Sequence, residues 1–155
     1  MKYNFSLCRE TIILSLFILL TSCHFNSTFN NRVEDKDDAQ KTTEWFYDML
    51  KSQDYKATYE LFSDKFYAVT DTQKLSDLFH ATNERLGSIE TFNMVKCETH
   101  VIEGTDEQAN YALIYSVKRK NYDSKETLVL DKENGKIKIV SYSVNSHGFL
   151  APGNK

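Results

Sequence analysis

The stretch that decides the fold is TDTQKLSDLFHATNERLGSIETFNMVKCETHV, residues 70–101. Before Gly87 its apolar residues recur every three or four positions, which is typical of an amphipathic helix. After Gly87 they alternate with polar residues, which is typical of a strand with one buried face. A capping box, Thr70-Asp-Thr-Gln73, predicts where the helix starts, and Gly87 predicts where it ends.

Two further helices are predicted before this stretch, each from the spacing of its apolar residues. The first covers about residues 38–52, with one apolar stripe formed by Trp45, Phe46, Met49 and Leu50. The second covers about residues 55–66 behind Asp54 as N-cap, with a stripe formed by Tyr55, Tyr59, Phe62 and Phe66. We expect all three helices to bury these faces.

Four antiparallel strands are predicted after Gly87. The first places alternate residues on one face: Ile89, Thr91, Asn93, Val95, Cys97, Thr99 and Val101. The second covers residues 108–120, with Tyr111, Leu113, Tyr115 and Val117 on one face. The third (125–131) and the last (137–144) are separated by Asn134-Gly135, which favours a type I′ hairpin turn. Three helices followed by four strands predict an α+β fold, with the helices packed on one face of a curved four-stranded sheet.

Residues 38–145 resemble the NTF2-like, or cystatin-like, α+β roll. The resemblance rests on the order of the elements, on the run from Tyr55 to Phe62, and on Arg85-Leu86-Gly87 before the sheet. It implies a conical pocket between sheet and helices, which some members use for catalysis and many for apolar ligands or for no known purpose. The residues expected to line such a pocket are Tyr59, Phe62, Phe79, Tyr111 and Tyr115.

The N-terminal segment has the features of an export signal. Lys2 and Arg9 precede an apolar run over residues 11–20, and the run ends in Leu20-Thr21-Ser22-Cys23. The run is about half the roughly 20 residues that a membrane-spanning helix needs. Ordinary signal cleavage is the alternative, but no Ala-x-Ala pattern is present near the end of the run.

This segment resembles the bacterial lipobox. The resemblance implies cleavage before Cys23, a diacylglycerol on its sulfur and a fatty chain on its new amino group. The predicted layout is a lipoprotein signal peptide (1–22), a lipidated flexible tether (23–37), the NTF2-like domain (38–145) and a loose C-terminal tail (146–155). The mature protein would be held in the cell envelope by its lipids. His24 after the cysteine, where an Asp commonly retains lipoproteins at the inner membrane, implies the outer membrane facing the periplasm in a diderm host.

Composition restricts the partners. Removal of residues 1–22 leaves 133 of 155 residues, the size of one domain, and we expect a monomer. With 19 basic and 22 acidic side chains, the chain has a formal net charge of −3 and no basic block suited to nucleic acid.

After loss of Cys8 and acylation of Cys23, Cys97 alone remains, so neither an intramolecular disulfide nor a cysteine zinc site is expected.

We expect no catalytic residue, metal or cofactor. A general base in the pocket would require Asp64 or Glu84, and both are expected to be exposed helix residues. Glu98 and His100 share a strand face, but two ligands do not make a metal site.

The predicted function is a membrane-anchored, non-catalytic binding module for a protein partner, including an inhibitory or immunity role, or for a small apolar ligand. The alternative is a small-molecule acid–base enzyme that uses the conical pocket.

Overall fold

The computed structural model describes residues 26–151, an α+β domain with one five-stranded antiparallel sheet. The strands, which lie in chain order across the sheet, are β1 (Asn26–Asn30), β2 (Ile89–Gly104), β3 (Gln108–Arg119), β4 (Ser124–Glu133) and β5 (Lys136–Asn145). The helices are α1 (Val33–Lys51), α2 (Tyr55–Thr58), α3 (Asp64–Tyr67) and α4 (Thr72–Leu86), with 3-10 turns at Tyr59–Leu61 and His147–Phe149. The predicted α+β class is confirmed, but the number of strands is five rather than four. The predicted lipobox and Cys23 lie outside the described residues.

The additional strand, β1, lies at the sheet edge and pairs with β2, with Asn26 opposite Gly104. The prediction of a flexible tether is therefore wrong for residues 26–37, which form β1 and the start of α1. Arg32 stabilises this region: its guanidinium binds Asp35 through two hydrogen bonds of 2.9 and 3.0 Å and lies 4.3 Å above the ring of Phe29. No residue of β1 is fully buried, and Phe29 is its one large apolar side chain packed against the core, so the sequence lacks the apolar alternation on which the prediction depends.

Helix α1 begins at Val33, five residues before the predicted start. Its buried residues are Asp35, Ala39, Thr43, Phe46, Tyr47 and Leu50. Trp45 does not belong to this face, since its side chain is 66% exposed. The predicted apolar stripe is therefore wrong at Trp45, because at about 100° per residue the buried positions share one side of the helix and position 45 lies outside it. Within residues 26–151, neither α1 nor any other helix is long and apolar enough to cross a membrane.

The second predicted helix is broken into α2, a 3-10 turn and α3. Phe62 has an extended backbone between them, and the side chain of Ser63 accepts a hydrogen bond from the Phe66 amide to start α3. The amide of Ser63 pairs instead with the carbonyl of Ile139 in β5. The Asp54 cap and the burial of Phe62 are confirmed.

Helix α4 confirms the third predicted helix, with one correction at its start. The side chain of Asp71 accepts a hydrogen bond from the Lys74 amide, so the N-cap is Asp71 rather than Thr70. Of the positions at helical spacing, Leu75, Phe79, Thr82 and Leu86 are buried, whereas Leu78 is 38% exposed. The helix ends at Leu86, and Gly87 caps it with a φ of +83°, a conformation that suits glycine.

Strand β2 contains two irregularities, between Ile89 and Thr91 and between Met94 and Lys96. Each changes which residues face the core. The inward residues are Ile89, then Phe92 and Met94, then Cys97, Thr99 and Val101. The single face predicted for this strand is therefore wrong at Thr91, Asn93 and Val95, which are exposed.

Strands β3 to β5 form a meander close to the prediction. Tyr111, Leu113, Tyr115 and Val117 are buried along β3. The φ angles of Asn134 and Gly135 are +50° and +75°, which confirms the predicted hairpin turn.

The predicted loose tail is wrong for residues 146–149. Gly148 is buried, and a Cβ atom there would lie 2.6 Å from Leu86 Cδ2 and from Tyr122 Cγ. The carbonyl of Gly148 accepts a 2.9 Å hydrogen bond from Nε of Arg85. The 3-10 turn therefore packs against the end of α4.

Candidate functional site

Most of the residues predicted to line a conical pocket are part of a packed core. Phe62, Phe79, Tyr111 and Tyr115 are all buried there. Tyr59 is half-buried, and its carbonyl accepts a 2.9 Å hydrogen bond from the hydroxyl of Tyr67. The five residues therefore do not line one open chamber in the structure.

Aromatic rings fill the space between helices and sheet. Phe46 lies at the centre of this cluster, with ring centroids 5.0 Å from Tyr142, 5.4 Å from Tyr47 and 5.9 Å from Phe62. Tyr47 stacks on Phe92 at 4.8 Å. Edge-on and tilted arrangements of this kind add to the free energy gained by burial of the rings.

One small cavity lies within the core beside Phe79, Arg119 and Tyr142. Its volume is about 10 Å³, which is near the lower limit for one water molecule. Thr82 also lines the cavity, and its buried hydroxyl makes no hydrogen bond within the described residues. This lining suits a water molecule, and the volume is far below that of an organic substrate.

A buried ion pair lies next to this cavity. The side chains of Arg119 on β3 and Glu126 on β4 are 3% and 0% exposed, and Arg119 Nη2 lies 2.8 Å from Glu126 Oε1. That oxygen also accepts hydrogen bonds from Arg119 Nε at 3.2 Å and Ser124 Oγ at 2.6 Å. Glu126 Oε2 accepts a 2.6 Å bond from the hydroxyl of Tyr142. The carboxylate is thus paired and hydrogen-bonded at both oxygens, which is what a buried charge requires.

The phenols around Glu126 are poorly suited to proton transfer at neutral pH. Burial, followed by the nearby carboxylate charge, raises the pKa of Tyr142 well above its ordinary value. The same two causes raise the pKa of Tyr47, whose hydroxyl makes no hydrogen bond to any residue in the range 26–151. A catalytic pKa lies near the operating pH, so this network is better suited to holding β3, β4 and β5 together.

The sequence does contain a signal for this ion pair, although apolar periodicity alone does not reveal it. Arg119 continues the inward alternation of Tyr115 and Val117 along β3, and Glu126 precedes Leu128 by two positions on β4. Because residues two apart share a face, both charges occupy core positions. Two opposite charges at inward positions of neighbouring strands predict a buried pair.

The other candidate groups lie apart on the surface. Asp64 and Glu84 are exposed, as predicted. Glu98 forms an ion pair with Lys96 at 2.8 Å, and Nδ1 of His100 is 2.8 Å from Oδ1 of Asn30. Residues 26–151 contain no group of three or more His, Cys, Asp or Glu side chains placed to hold a metal ion.

Cys97 is half-buried rather than fully buried, and it packs against the core. Burial raises the pKa of its thiol, with a smaller opposing effect from Lys36. A raised thiol pKa lowers the fraction of reactive thiolate. This geometry favours a packing role for Cys97.

A concave surface outside the core brings the exposed Trp45 together with two other apolar side chains. We call it the Trp45 groove. It has a volume of about 600 Å³ and is lined by Asp38, Lys41, Thr42, Trp45, Leu61, Lys136, Ile137 and Lys138. It lies between α1, the 3-10 turn before Phe62 and the start of β5. Sequence reasoning missed this site because it assigned Trp45 to the core.

Three lysines surround the apolar part of the Trp45 groove. Lys41 forms an ion pair with Asp38 at 3.2 Å, and Lys138 donates to the carbonyl of Glu60. Lys136 is exposed and has no ion-pair partner within residues 26–151. The groove therefore combines an apolar floor with a basic rim in a chain whose formal net charge is −3.

No protein-family model matches this chain, and no curated protein is significantly similar to it.

Proposed function

We propose that this chain is an envelope lipoprotein, anchored through acylated Cys23, whose domain docks a protein partner at the Trp45 groove. The observation that carries this proposal is the position of Trp45: a large aromatic side chain lies 66% exposed in an apolar groove, while the predicted interior pocket is filled. Its NTF2-like roll would then act as a rigid, non-catalytic scaffold. The antiparallel sheet with helices packed against it supports this fold assignment.

The composition of the groove supports a protein partner. Tryptophan is enriched among the few residues that supply most of the binding energy at protein interfaces. Leu61 and Ile137 extend the apolar floor beside it, and the concave shape would receive a side chain from the partner. Contiguous exposed apolar surface of this kind often marks an interaction site.

The rim of the groove indicates the partner's charge. The charge of Lys41 is offset by Asp38, whereas Lys136 and Lys138 have no carboxylate partner within residues 26–151. These two lysines would favour a partner that presents an apolar side chain flanked by aspartate or glutamate. Complementary charges of this kind raise the association rate and disfavour basic competitors. An inhibitory role, such as neutralising a toxin in the envelope, is one form that such docking would take.

The alternative of a small-molecule acid–base enzyme finds less support. Its reaction would have to take place beside Arg119 and Tyr142, where the cavity volume is about 10 Å³. The carboxylate of Glu126 is already hydrogen-bonded at both oxygens. The geometry therefore favours docking on the outer surface.

The proposal can be tested with the acylated protein and two matched variants. Trp45→Ala removes the anchor of the groove, whereas Val69→Ala changes an apolar residue that is 82% exposed and does not line the groove. We expect wild type and Val69→Ala to retain one stoichiometric protein from detergent-solubilised envelopes and Trp45→Ala to lose it at least tenfold, or about 1.4 kcal/mol. Affinity for that purified protein should fall as salt rises. Equal retention by the two variants would contradict the proposal.

Intrinsic fluorescence gives an independent readout, because Trp45 is the only tryptophan in the chain. In the free protein its emission should resemble that of a water-exposed indole. Addition of the purified partner should shift the emission to shorter wavelength and reduce quenching by acrylamide. An unchanged spectrum at saturating partner would place the interface elsewhere.

A further inference from the structure

Strand β1 begins a few residues after the proposed lipid attachment point. Only two residues, His24 and Phe25, lie between Cys23 and Asn26, where β1 starts, so three residue steps join them. Because one residue spans at most about 3.6 Å, the Cα atoms of Cys23 and Asn26 cannot be more than about 11 Å apart, whatever path the chain takes. The sequence pattern predicts a flexible tether over residues 23–37. Because β1 and α1 occupy most of that range, the chain between Cys23 and the domain is much shorter than predicted.

Asn26 is held firmly at one end of the sheet. Its Nδ2 donates to Oδ2 of Asp106 at 3.1 Å, and the Asp106 amide donates to Oδ1 of Asn26 at 3.2 Å. Backbone pairing places Asn26 opposite Gly104. The start of β1 is thus attached to the β2–β3 turn, residues 105–107.

We infer that the domain stands on the bilayer with its β2–β3 turn against the lipid headgroups. This inference rests on the proposed anchorage through Cys23. The acyl chains hold Cys23 at the membrane surface, and Asn26 lies within about 11 Å of Cys23. The two hydrogen bonds between Asn26 and Asp106 keep the β2–β3 turn beside Asn26, so the turn also lies near the membrane. The end of the domain that carries the β2–β3 turn therefore lies against the membrane surface, with no long linker between the lipid anchor and the sheet.

The charged side chains at this end are largely paired, which is compatible with apposition to a headgroup surface. Glu103 binds Arg32 at 2.6 Å, and Glu107 binds Lys132. Asp131, at the end of β4, binds Lys65 of α3. Because opposite charges offset each other there, little net repulsion is expected from anionic lipid.

The orientation also restricts the partner. Antiparallel order places the β4–β5 turn, Asn134-Gly135, at the same end of the sheet as the β2–β3 turn. Lys136 of the Trp45 groove follows that turn directly. The groove therefore lies towards the membrane-facing end, and its partner should itself be a protein in, or held against, the same membrane.

The opposite end of the domain should be far from the lipid. Strand β3 runs from Gln108 to Arg119, and eleven steps of about 3.4 Å separate its ends by roughly 37 Å. Thr105 in the β2–β3 turn and Asn121 in the β3–β4 turn are both exposed. They give two labelling positions at opposite ends of the same strand.

Headgroup quenching tests the orientation. In a Cys97→Ser background, acylated Cys23 has no free thiol, so a single fluorophore can be attached at Thr105→Cys or at Asn121→Cys. The acylated proteins are reconstituted in phosphatidylcholine vesicles that carry a nitroxide on some headgroups. We expect quenching several-fold stronger at position 105 than at position 121.

A spacer variant provides the control. About ten Gly and Ser residues inserted between Phe25 and Asn26 would add a flexible span on the order of 17 Å, and quenching at position 105 should fall towards the value at position 121. Equal quenching at the two positions without the spacer would overturn the orientation. Failure of the protein to associate with vesicles at all would instead contradict the proposed lipid anchor.

Discussion

The hydroxyl of Tyr142 donates a 2.6 Å hydrogen bond to Oε2 of Glu126 inside the aromatic core. The other carboxylate oxygen binds Arg119, so three adjacent strands are joined through one side chain. A buried charge of this kind is costly unless each of its polar atoms is satisfied. The arrangement makes the polar network sensitive to the loss of any single member.

Replacement of Glu126 by Ala should lower the free energy of unfolding by about 3–5 kcal/mol, because the guanidinium of Arg119 would remain buried without its counter-charge. The double variant Glu126→Leu with Arg119→Met should lose less than Glu126→Leu alone, since no unpaired charge remains. Urea unfolding of the single and double variants measures this coupling. Additive losses would show that the two side chains act independently.

Phe62→Ala should lower the free energy of unfolding by about 3–5 kcal/mol, because it removes a buried ring and leaves a cavity. The Phe62 ring centroid lies 5.9 Å from that of Phe46 and 4.4 Å from that of Phe66. Val69→Ala, at an exposed position, should change stability by no more than about 0.5 kcal/mol. A loss below about 1 kcal/mol for Phe62→Ala would contradict the packing described above.

A fragment that starts at residue 38 should be less stable than one that starts at residue 26. The shorter fragment lacks β1, the first turn of α1 and the ion pair between Arg32 and Asp35. Thermal unfolding of fragments 26–151 and 38–151, followed by circular dichroism, should give a clearly lower midpoint for the shorter one. Matching midpoints would mean that β1 adds nothing to the stability of the domain.

Stability should fall in alkaline solution. Burial raises the pKa of Tyr111 to about 12 and that of Tyr115 to about 12, above the ordinary value of 10.0. The unfolded chain loses these protons near pH 10, whereas the folded protein retains them to about pH 12, so unfolding releases protons in that interval. The free energy of unfolding should therefore decrease as the pH rises through it.

Tyrosinate absorbance, recorded together with circular dichroism, would follow this transition. Tyr115→Phe removes one of the groups, so its free energy of unfolding should fall less steeply with pH than that of the wild type. Titration of every phenol near the ordinary pKa of 10.0 in the folded protein would show that these two hydroxyls are not protected.

The elements that sequence predicted well are those whose local chemistry agrees with the tertiary structure. Gly87 ends a helix, Asn134-Gly135 forms a hairpin turn, and β3 alternates without interruption because it is central and buried on one face. Strand β1 has no such local signal, since its place depends on pairing with the edge of β2 and on contacts of Arg32. Those contacts are distant or polar, and apolar periodicity does not report them.

The candidate site was harder to predict for a related reason. Trp45 is apolar and lies near core residues in the sequence, yet only the phase of α1 shows that it is exposed. The groove also needs Leu61 and Ile137, which the break at Phe62 and the β4–β5 hairpin bring beside it. A site assembled from three separate segments leaves no motif in the sequence.

The fate of Cys23 tests the proposed membrane role most directly. Wild-type protein, expressed in a bacterium with intact lipoprotein processing, should partition into the detergent phase, with a mass equal to the chain from Cys23 plus its acyl groups. Cys97→Ser should behave identically, whereas Cys23→Ser should be uncleaved or remain in the aqueous phase. Wild-type protein found wholly in the aqueous phase, with an unmodified thiol at Cys23, would contradict the proposal that this domain works at a membrane surface.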